Sequence, residues 1–169
     1  MKFLKAIYPY VIIVVTVLLI RTFLVTPVYV SGSSMSPTLN NGEILILNKL
    51  DKDYKRFDVV VIDYKSDKLN ERLIKRVIGL PKDKVRYTNG KLYVNNKVVE
   101  DKFAKFTDDF NMSIFNELEI PEGKYLVLGD NRVESLDSRR LGLIDKKGIK
   151  GTASLRIFPF KKIGKIKED

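Results

Sequence analysis

The chain has 169 residues, 44% of them hydrophobic, and a formal net charge of +10. This length is enough to bury one hydrophobic core, so we expect one soluble domain. The sequence contains neither cysteine nor histidine, which excludes disulfides, thiol nucleophiles, Ser-His-Asp triads and zinc or iron sites built on histidine or thiolate ligands. A serine nucleophile in this chain therefore requires a lysine or a carboxylate as its base.

The positive charge favours anionic partners such as lipid or nucleic acid. The lysines are scattered, however, and form no basic stripe interleaved with aromatic residues. We therefore predict a solvated basic surface and no nucleic-acid partner.

An apolar segment lies close to the N-terminus. Lys2 and Lys5 precede an apolar run at 6–20, which ends at Arg21 and resumes at 23–25. A membrane helix needs about 20 residues, and Arg21 extends the span because its long side chain can carry the guanidinium to the lipid interface. The segment predicts a single transmembrane helix.

The chain is predicted to divide after this helix. Pro27 is predicted to end it, because the residue before a proline disfavours the α conformation. Residues 1–26 then form the cytoplasmic tip and the anchor in the cell membrane, and residues 27–169 the extracytoplasmic domain, since the two N-terminal lysines favour a cytoplasmic N-terminus. The alternative is a cleavable signal peptide, because Ser-Gly-Ser at 31–33 has a small-x-small pattern. The apolar residues between the helix and this point favour an uncleaved anchor.

Beyond the anchor, short apolar or alternating runs are separated by turn signals, a pattern typical of strands. The predicted strands are 43–48, 57–62, 72–78, 85–88, 91–94, 97–99, 124–128 and 153–158. Asn89-Gly90 predicts the clearest hairpin, because it supplies the positive φ angles of a type I′ turn. Residues 101–119 are less patterned, and 82–123 is predicted to be a small variable excursion. The fold class is mainly β.

Three polar segments are candidates for chemistry. The first, 31–39, contains the neighbouring serines Ser33 and Ser34 beside Gly32 and suits a tight turn that presents a hydroxyl, although its composition also suits a linker. The second surrounds Lys75. If 72–78 is extended, Lys75 shares one face with the apolar residues at 73 and 77.

A lysine on a core-facing side is costly to keep charged, so its pKa should fall, and a neutral amine can serve as the base for a serine hydroxyl. The alternative is a lysine whose stem packs on the sheet while its ammonium reaches water. The third segment, 129–139 (Gly-Asp-Asn-Arg-Val-Glu-Ser-Leu-Asp-Ser-Arg), by itself predicts only a loop with Asp–Arg pairs.

Together these segments resemble type I signal peptidases, the membrane-bound Ser-Lys endopeptidases of the S26 family that remove signal peptides from exported proteins. Residues 34–39 are similar to the nucleophile box, 56–60 to the strand after it, 75–81 to the general-base box and 129–139 to the last signature. The boxes occur in family order. The resemblance implies a signal-peptidase and LexA-like β-fold on a single N-terminal transmembrane helix.

The resemblance also implies roles for individual residues. Ser34 would be the nucleophile and Lys75 the general base. Ser135 would orient the lysine amine. Asp137 and Arg139 would form a structural pair that holds the site.

Asp130 would support that pair. The oxyanion hole of the family uses the backbone amide of the nucleophile and, in some members, a serine hydroxyl two residues earlier. Gly32 occupies that position here, so the second donor stays open. Ser33 and Met35 complete the predicted oxyanion and substrate-binding residues.

The implied function is a serine endopeptidase that needs no metal or cofactor and cleaves exported preproteins after small residues at positions −1 and −3. Its expected partners are these signal peptides, the lipid bilayer and the secretion machinery. The compact domain resembles the Gram-positive pattern. Alternatives are a non-catalytic or dedicated pilus-assembly factor on the same fold, a self-cleaving repressor-type protein and a basic binding module. Non-catalytic relatives lose the serine or the lysine, and this chain retains both.

Overall fold

The structure, a computed structural model, describes residues 2–66 and 70–166. Helix α1 (Lys2–Leu19) opens the chain and continues as a π-helical turn (Ile20–Leu24). Within the described residues, Ile7–Leu24 is the one helical window long and apolar enough to cross a membrane, with a mean hydropathy of 2.2 and no part of it buried. This matches the apolar segment seen in the sequence.

The predicted role of Pro27 is wrong. The helix ends at Leu24, and Pro27 lies inside strand β1 (Val25–Tyr29). Strand β1 pairs with β2 (Ile44–Asn48) and is the outermost strand on its side of the sheet. A proline is tolerated there because an edge strand has backbone donors that need no partner strand.

The other strands follow in two groups. They are β3 (Val59–Lys65), β4 (Asn70–Gly79), β5 (Val85–Thr88), β6 (Lys91–Val94), β7 (Lys97–Val99), β8 (Phe110–Asn111), β9 (Lys124–Leu128), β10 (Ile144–Asp145), β11 (Ile149–Phe158) and β12 (Gly164–Lys165). One short helix, α2 (Ser138–Leu141), follows β9, and 3-10 turns lie at Met112–Phe115, Lys146–Gly148 and Phe160–Lys162. Every predicted strand is confirmed, and the fold is mainly β.

The hairpin between β5 and β6 has the predicted turn, with φ angles of 51° at Asn89 and 71° at Gly90. The region predicted to lack a pattern, 101–119, contains β8, which pairs with β5. Strand β8 has two residues, which is too short for an alternating pattern to be recognised in the sequence.

The strands form two sheets. The large one has the order β1-β2-β11-β3-β4-β9-β10, with β12 beside β11. The small one has the order β7-β6-β5-β8, and its strands lie within residues 82–123. The small sheet packs through Tyr87 and Leu92 against Leu126 and Leu128 of β9.

Strand β4 changes its surroundings halfway along its length. Residues 70–76 pair with β3 on one side, whereas pairing with β9 on the other side begins only at Arg76. Among the described residues, the edge of β4 before Arg76 therefore has no neighbouring strand. This open edge faces the candidate site.

Candidate active site

A groove of about 510 Å³ lies between β1 and the open edge of β4. It is lined by residues 27–32 with Ser34 and Met35 on one side, and by residues 71–75 on the other. Among the described residues, β1 has no second partner strand and β4 has none before Arg76. The groove can therefore accept an extended peptide as an added strand.

Ser34 and Lys75 meet at the end of this groove. The Lys75 Nζ lies 2.7 Å from Ser34 Oγ and donates a second hydrogen bond to the Ile74 carbonyl at 3.1 Å. Lys75 is 2% exposed, so water has little access to the amine. The Ser34 hydroxyl and the Lys75 amine thus lie close enough for direct proton transfer.

Burial lowers the pKa of Lys75 from 10.5 to about 8, although Asp137, Asp130 and Glu71 act in the opposite direction. The predicted alternation explains this burial. Lys75 pairs with Val60 of β3, and Val60 belongs to the apolar cluster that also contains Val77, whereas Ile74 belongs to a different cluster. The predicted alternation along β4 and the lowered pKa are both confirmed.

The loop that carries Ser34 is held by its apolar neighbours. Met35 is 2% exposed in the same core cluster as Leu39, and the Leu39 amide donates to the Met35 carbonyl at 2.8 Å. Gly32 has a φ of +86°, a conformation that a side chain rarely adopts. Its amide donates to Asn41 Oδ1 at 3.0 Å.

The three predicted substrate-binding residues separate into two groups. Gly32 and Met35 line the groove. Ser33 is not among its described lining residues, and its hydroxyl donates instead to Glu134 Oε2 at 2.7 Å. Asn131 also donates to that carboxylate oxygen, at 3.1 Å. Glu134 thus joins the loop that carries Ser34 to the segment 129–139.

The segment 129–139, hereafter the signature loop, packs directly on Ser34. The Asn131 amide donates to the Ser34 carbonyl at 3.0 Å. A Cβ on Gly129 would collide with that carbonyl and with Ser135 Oγ, so only glycine fits. The Ser135 side chain and the Ser34 carbonyl thus both pack closely against Gly129.

Two carboxylates hold the signature loop. Asp130 accepts two hydrogen bonds from Arg76, at 2.9 and 2.8 Å, and both side chains are completely buried. Asp137 caps α2, accepts from the Gly129 amide at 3.1 Å and pairs with Arg139 at 2.9 Å. The sequence resemblance named both aspartates, but Arg76 received no role from it.

Ser135 does not make the contact predicted for it. Its hydroxyl is buried and has no hydrogen-bond partner within the described ranges. The described contacts of the Lys75 amine go to Ser34 and to the Ile74 carbonyl. A role for Ser135 in orienting the lysine stays a prediction.

Sequence reasoning missed a buried cluster behind the signature loop. Arg132 binds Asp101, Thr107 and Tyr87, which come from the small sheet and the chain between its strands. The sequence predicted only Asp–Arg pairs in a loop at 129–139, and nothing in the weakly patterned region 101–107 pointed to the partners of Arg132. Within residues 2–66 and 70–166, no cluster of three acidic side chains suits a metal ion.

Comparisons with known proteins identify the family of this chain. The family model for signal peptidase, peptidase S26, matches residues 2–158. Signal peptidase I of Bacillus licheniformis is 43% identical over 171 residues, which cover 92% of this chain and 88% of that protein. Signal peptidase I T of Bacillus subtilis is 40% identical over 168 residues, which cover 93% of this chain and 86% of that protein.

A solved structure supports the same fold. A signal peptidase I from Enterococcus faecalis V583 superposes with a TM-score of 0.54 at 32% identity, covering 59% of this chain and 96% of that chain. The matches and the fold define the class of this protein as a peptidase, a hydrolase of peptide bonds. Within that class, the chain belongs to the signal peptidase family, peptidase S26.

Proposed function

We propose that this protein is a membrane-anchored serine endopeptidase that removes N-terminal signal peptides by means of a Ser34–Lys75 dyad. The observation that carries the proposal is the 2.7 Å contact between Ser34 Oγ and a buried lysine amine at the end of a groove with two open strand edges. Family membership supports the reaction class.

The lowered pKa of Lys75 supports its role as the base. At pH 7 an amine with a pKa of about 8 is neutral in roughly one molecule in ten, whereas an amine with a pKa of 10.5 is neutral in roughly one in 3000. The neutral amine takes the proton of Ser34 as the oxygen attacks the scissile carbonyl. The resulting Lys75 ammonium then protonates the leaving amino group, which leaves an acyl-enzyme on Ser34 and regenerates the neutral amine.

Deacylation repeats the same steps with water. Lys75 removes a proton from water, the resulting nucleophile attacks the ester carbonyl, and Ser34 regains its proton from the ammonium. The Ser34 amide is the proposed first oxyanion donor. Gly32 carries no hydroxyl, so the second donor must be a backbone amide or water.

The groove also supports a preference for small residues. A substrate strand added to β4 points alternate side chains the same way, so positions −1 and −3 face one wall. Met35 and Ile74 contribute to that wall, and both belong to the buried core, which restricts the depth available. Large side chains at −1 and −3 would displace this core packing.

The apolar window Ile7–Leu24 supports the proposed membrane anchor. The chain up to Leu24, where the helix ends, is the proposed cytoplasmic tip and single-pass anchor, and the domain that begins with β1 is the proposed extracytoplasmic catalytic domain. Protease added outside cells with a permeable wall should reach this domain. A protected domain would contradict the orientation.

The direct test incubates the detergent-solubilised protein with a preprotein and maps the cut by mass spectrometry. We expect one cut after a small-x-small sequence, absent with Ser34→Ala. A wild-type protein that binds preprotein without cutting it would support the non-catalytic assembly factor instead.

A further inference from the structure

Residues 101–107, hereafter the covering segment, lie between β7 and β8. They cover the buried guanidinium groups of Arg76 and Arg132 behind the candidate active site. We propose that Asp101 and Thr107 in this segment are positioning residues for the reaction, because they hold Arg132 and through it the signature loop against Ser34. The inference rests on the proposed function for its activity readout.

Arg132 joins the covering segment to the signature loop. Its Nε donates to the Gly129 carbonyl at 2.8 Å, and one terminal nitrogen donates to Asp101 Oδ2 at 2.6 Å. The other terminal nitrogen donates to the hydroxyls of Thr107 and Tyr87. Arg132 is 5% exposed, so these contacts replace nearly all of its water.

Tyr87 closes this cluster from the small sheet. Its hydroxyl donates to Asp101 Oδ2 at 2.7 Å, and burial raises the pKa of Tyr87 above its ordinary value, which keeps the phenol protonated. One carboxylate oxygen thus accepts from both Tyr87 and Arg132. The arrangement fixes the guanidinium in one orientation, because each of its nitrogens has a directed partner.

The covering segment also packs on the second guanidinium. The Phe103 ring lies under Arg76 at 3.5 Å from the guanidinium carbon to the ring centre. Arg76 in turn binds Asp130 of the signature loop. The covering segment therefore contacts both arginines that fix the position of the signature loop, Arg76 and Arg132.

The loop position matters for Ser34 because the two backbones touch. The Asn131 amide donates to the Ser34 carbonyl, and Gly129 packs against the same carbonyl with no room for a side chain. A shift of the Gly129 peptide would therefore move Ser34 relative to Lys75. A displacement of about 1 Å in a reacting group can cost on the order of 100-fold in rate.

Asp101 and Thr107 are not among the described residues that line the groove. Their loss should therefore lower kcat and leave KM for a peptide nearly unchanged, the pattern of an interaction that acts on the reacting geometry. Loss of folding alone would reduce the amount of active protein and would not change the kcat of the molecules that remain folded.

The test compares variants of the full chain in detergent, with a fluorogenic peptide that has alanine at positions −1 and −3. Thr107→Val keeps the shape and removes the hydroxyl, and Thr107→Ser restores it. Thr88→Val is the matched control, because Thr88 accepts from Arg86 at 3.3 Å on the same small sheet away from the signature loop. Asp101→Asn removes the charge at nearly constant volume.

We expect kcat per folded molecule to fall about tenfold in Thr107→Val and further in Asp101→Asn, with wild-type values in Thr107→Ser and Thr88→Val. Hydrogen–deuterium exchange provides a readout independent of activity: the amides of 129–139 should exchange faster in Thr107→Val, and those of β2 should not.

Equal kcat in Thr107→Val and Thr88→Val, or faster exchange spread evenly over the whole domain, would overturn the positioning role. A wild-type protein without activity would instead contradict the proposed function. In that case the exchange experiment still decides whether the covering segment holds the loop.

Discussion

Lys75 and Arg76 are neighbours on β4, and they show two ways in which a protein can bury a cation. Their side chains lie on opposite faces of the strand, since Lys75 pairs with Val60 and Arg76 with Val59, which belong to different core clusters. Arg76 meets a carboxylate in a two-bond pair with Asp130. Lys75 meets a hydroxyl and a backbone carbonyl.

The difference in partners determines the charge state. A guanidinium stays charged at any pH at which the protein is folded, so it must be paired when buried. An amine without a close counter-ion can lose its proton instead, and burial lowers the pKa of Lys75 to about 8. One face of β4 thus holds a structural ion pair, and the other presents the lysine that we propose as the base.

The largest expected effect comes from removing the side chain of Lys75 or that of its partner Ser34. Ser34→Ala and Lys75→Ala should each reduce kcat by about 10⁴-fold or more, and the double variant should lose little beyond either single one, because the two groups act as a unit. Peptide hydrolysis measured on the purified variants checks this, with unchanged thermal unfolding as the control.

Ser33→Ala serves as the neighbour control for that prediction. It removes the hydrogen bond to exposed Glu134 and should cost only a few-fold in kcat, since a single exposed hydrogen bond contributes about 1 kcal/mol. An inactive Ser33→Ala with an active Ser34→Ala would show that Ser33, and not Ser34, is the nucleophile.

The second effect concerns the paired side. Asp130→Asn leaves Arg76 buried without its counter-charge and should lower the free energy of unfolding by about 3–5 kcal/mol. Asp63→Asn is the matched control, because Asp63 pairs with an Arg72 side chain that is 56% exposed, and such pairs contribute about 0–1 kcal/mol. Urea unfolding followed by tyrosine fluorescence measures both, and equal losses would remove the distinction between them.

The third effect is the pH dependence of catalysis. The base must be neutral, so kcat/KM should rise about tenfold per pH unit below a pKa of about 8 and level off above it. A pH–rate profile of the wild-type protein tests this. An acid limb near the ordinary lysine pKa would contradict the lowered pKa of Lys75. An acid limb that persists in an active Lys75 variant would show that another group is the base.

The same pKa has a consequence for stability. Lys75 has a lower pKa in the folded protein than the ordinary value of 10.5, so between about pH 8 and 10.5 the unfolded chain binds more protons there. This contribution makes the folded state more stable as pH rises through that window. Comparing wild type with Lys75→Met across the window isolates the contribution, which should be absent in the variant.

The smallest effect sharpens the comparison from the side of Lys75. Glu71 lines the groove, is exposed and raises the pKa of Lys75. Glu71→Gln should therefore move the acid limb of kcat/KM to lower pH, while Glu134→Gln, on the signature loop, leaves it in place. A limb that moves to higher pH in Glu71→Gln would contradict the sign.

Local pattern in the sequence determined the strands of the core and the apolar helix, because alternation, apolar runs and Asn-Gly turns are properties of neighbouring residues. It also determined that a serine nucleophile here needs a lysine or a carboxylate, since the chain has no histidine. The ordered boxes, which resemble a known family, selected Ser34 and Lys75.

Only the tertiary structure decided which partners the buried groups have. Pro27 lies in an edge strand because β2 pairs with it from nearly twenty residues away, and the chain around it carries no sign of that pairing. Asp101 and Thr107 meet Arg132 across 31 and 25 residues, and Ser135 is buried without the predicted contact. Such contacts depend on how two sheets pack against each other, and side-chain patterns within one strand do not specify that packing.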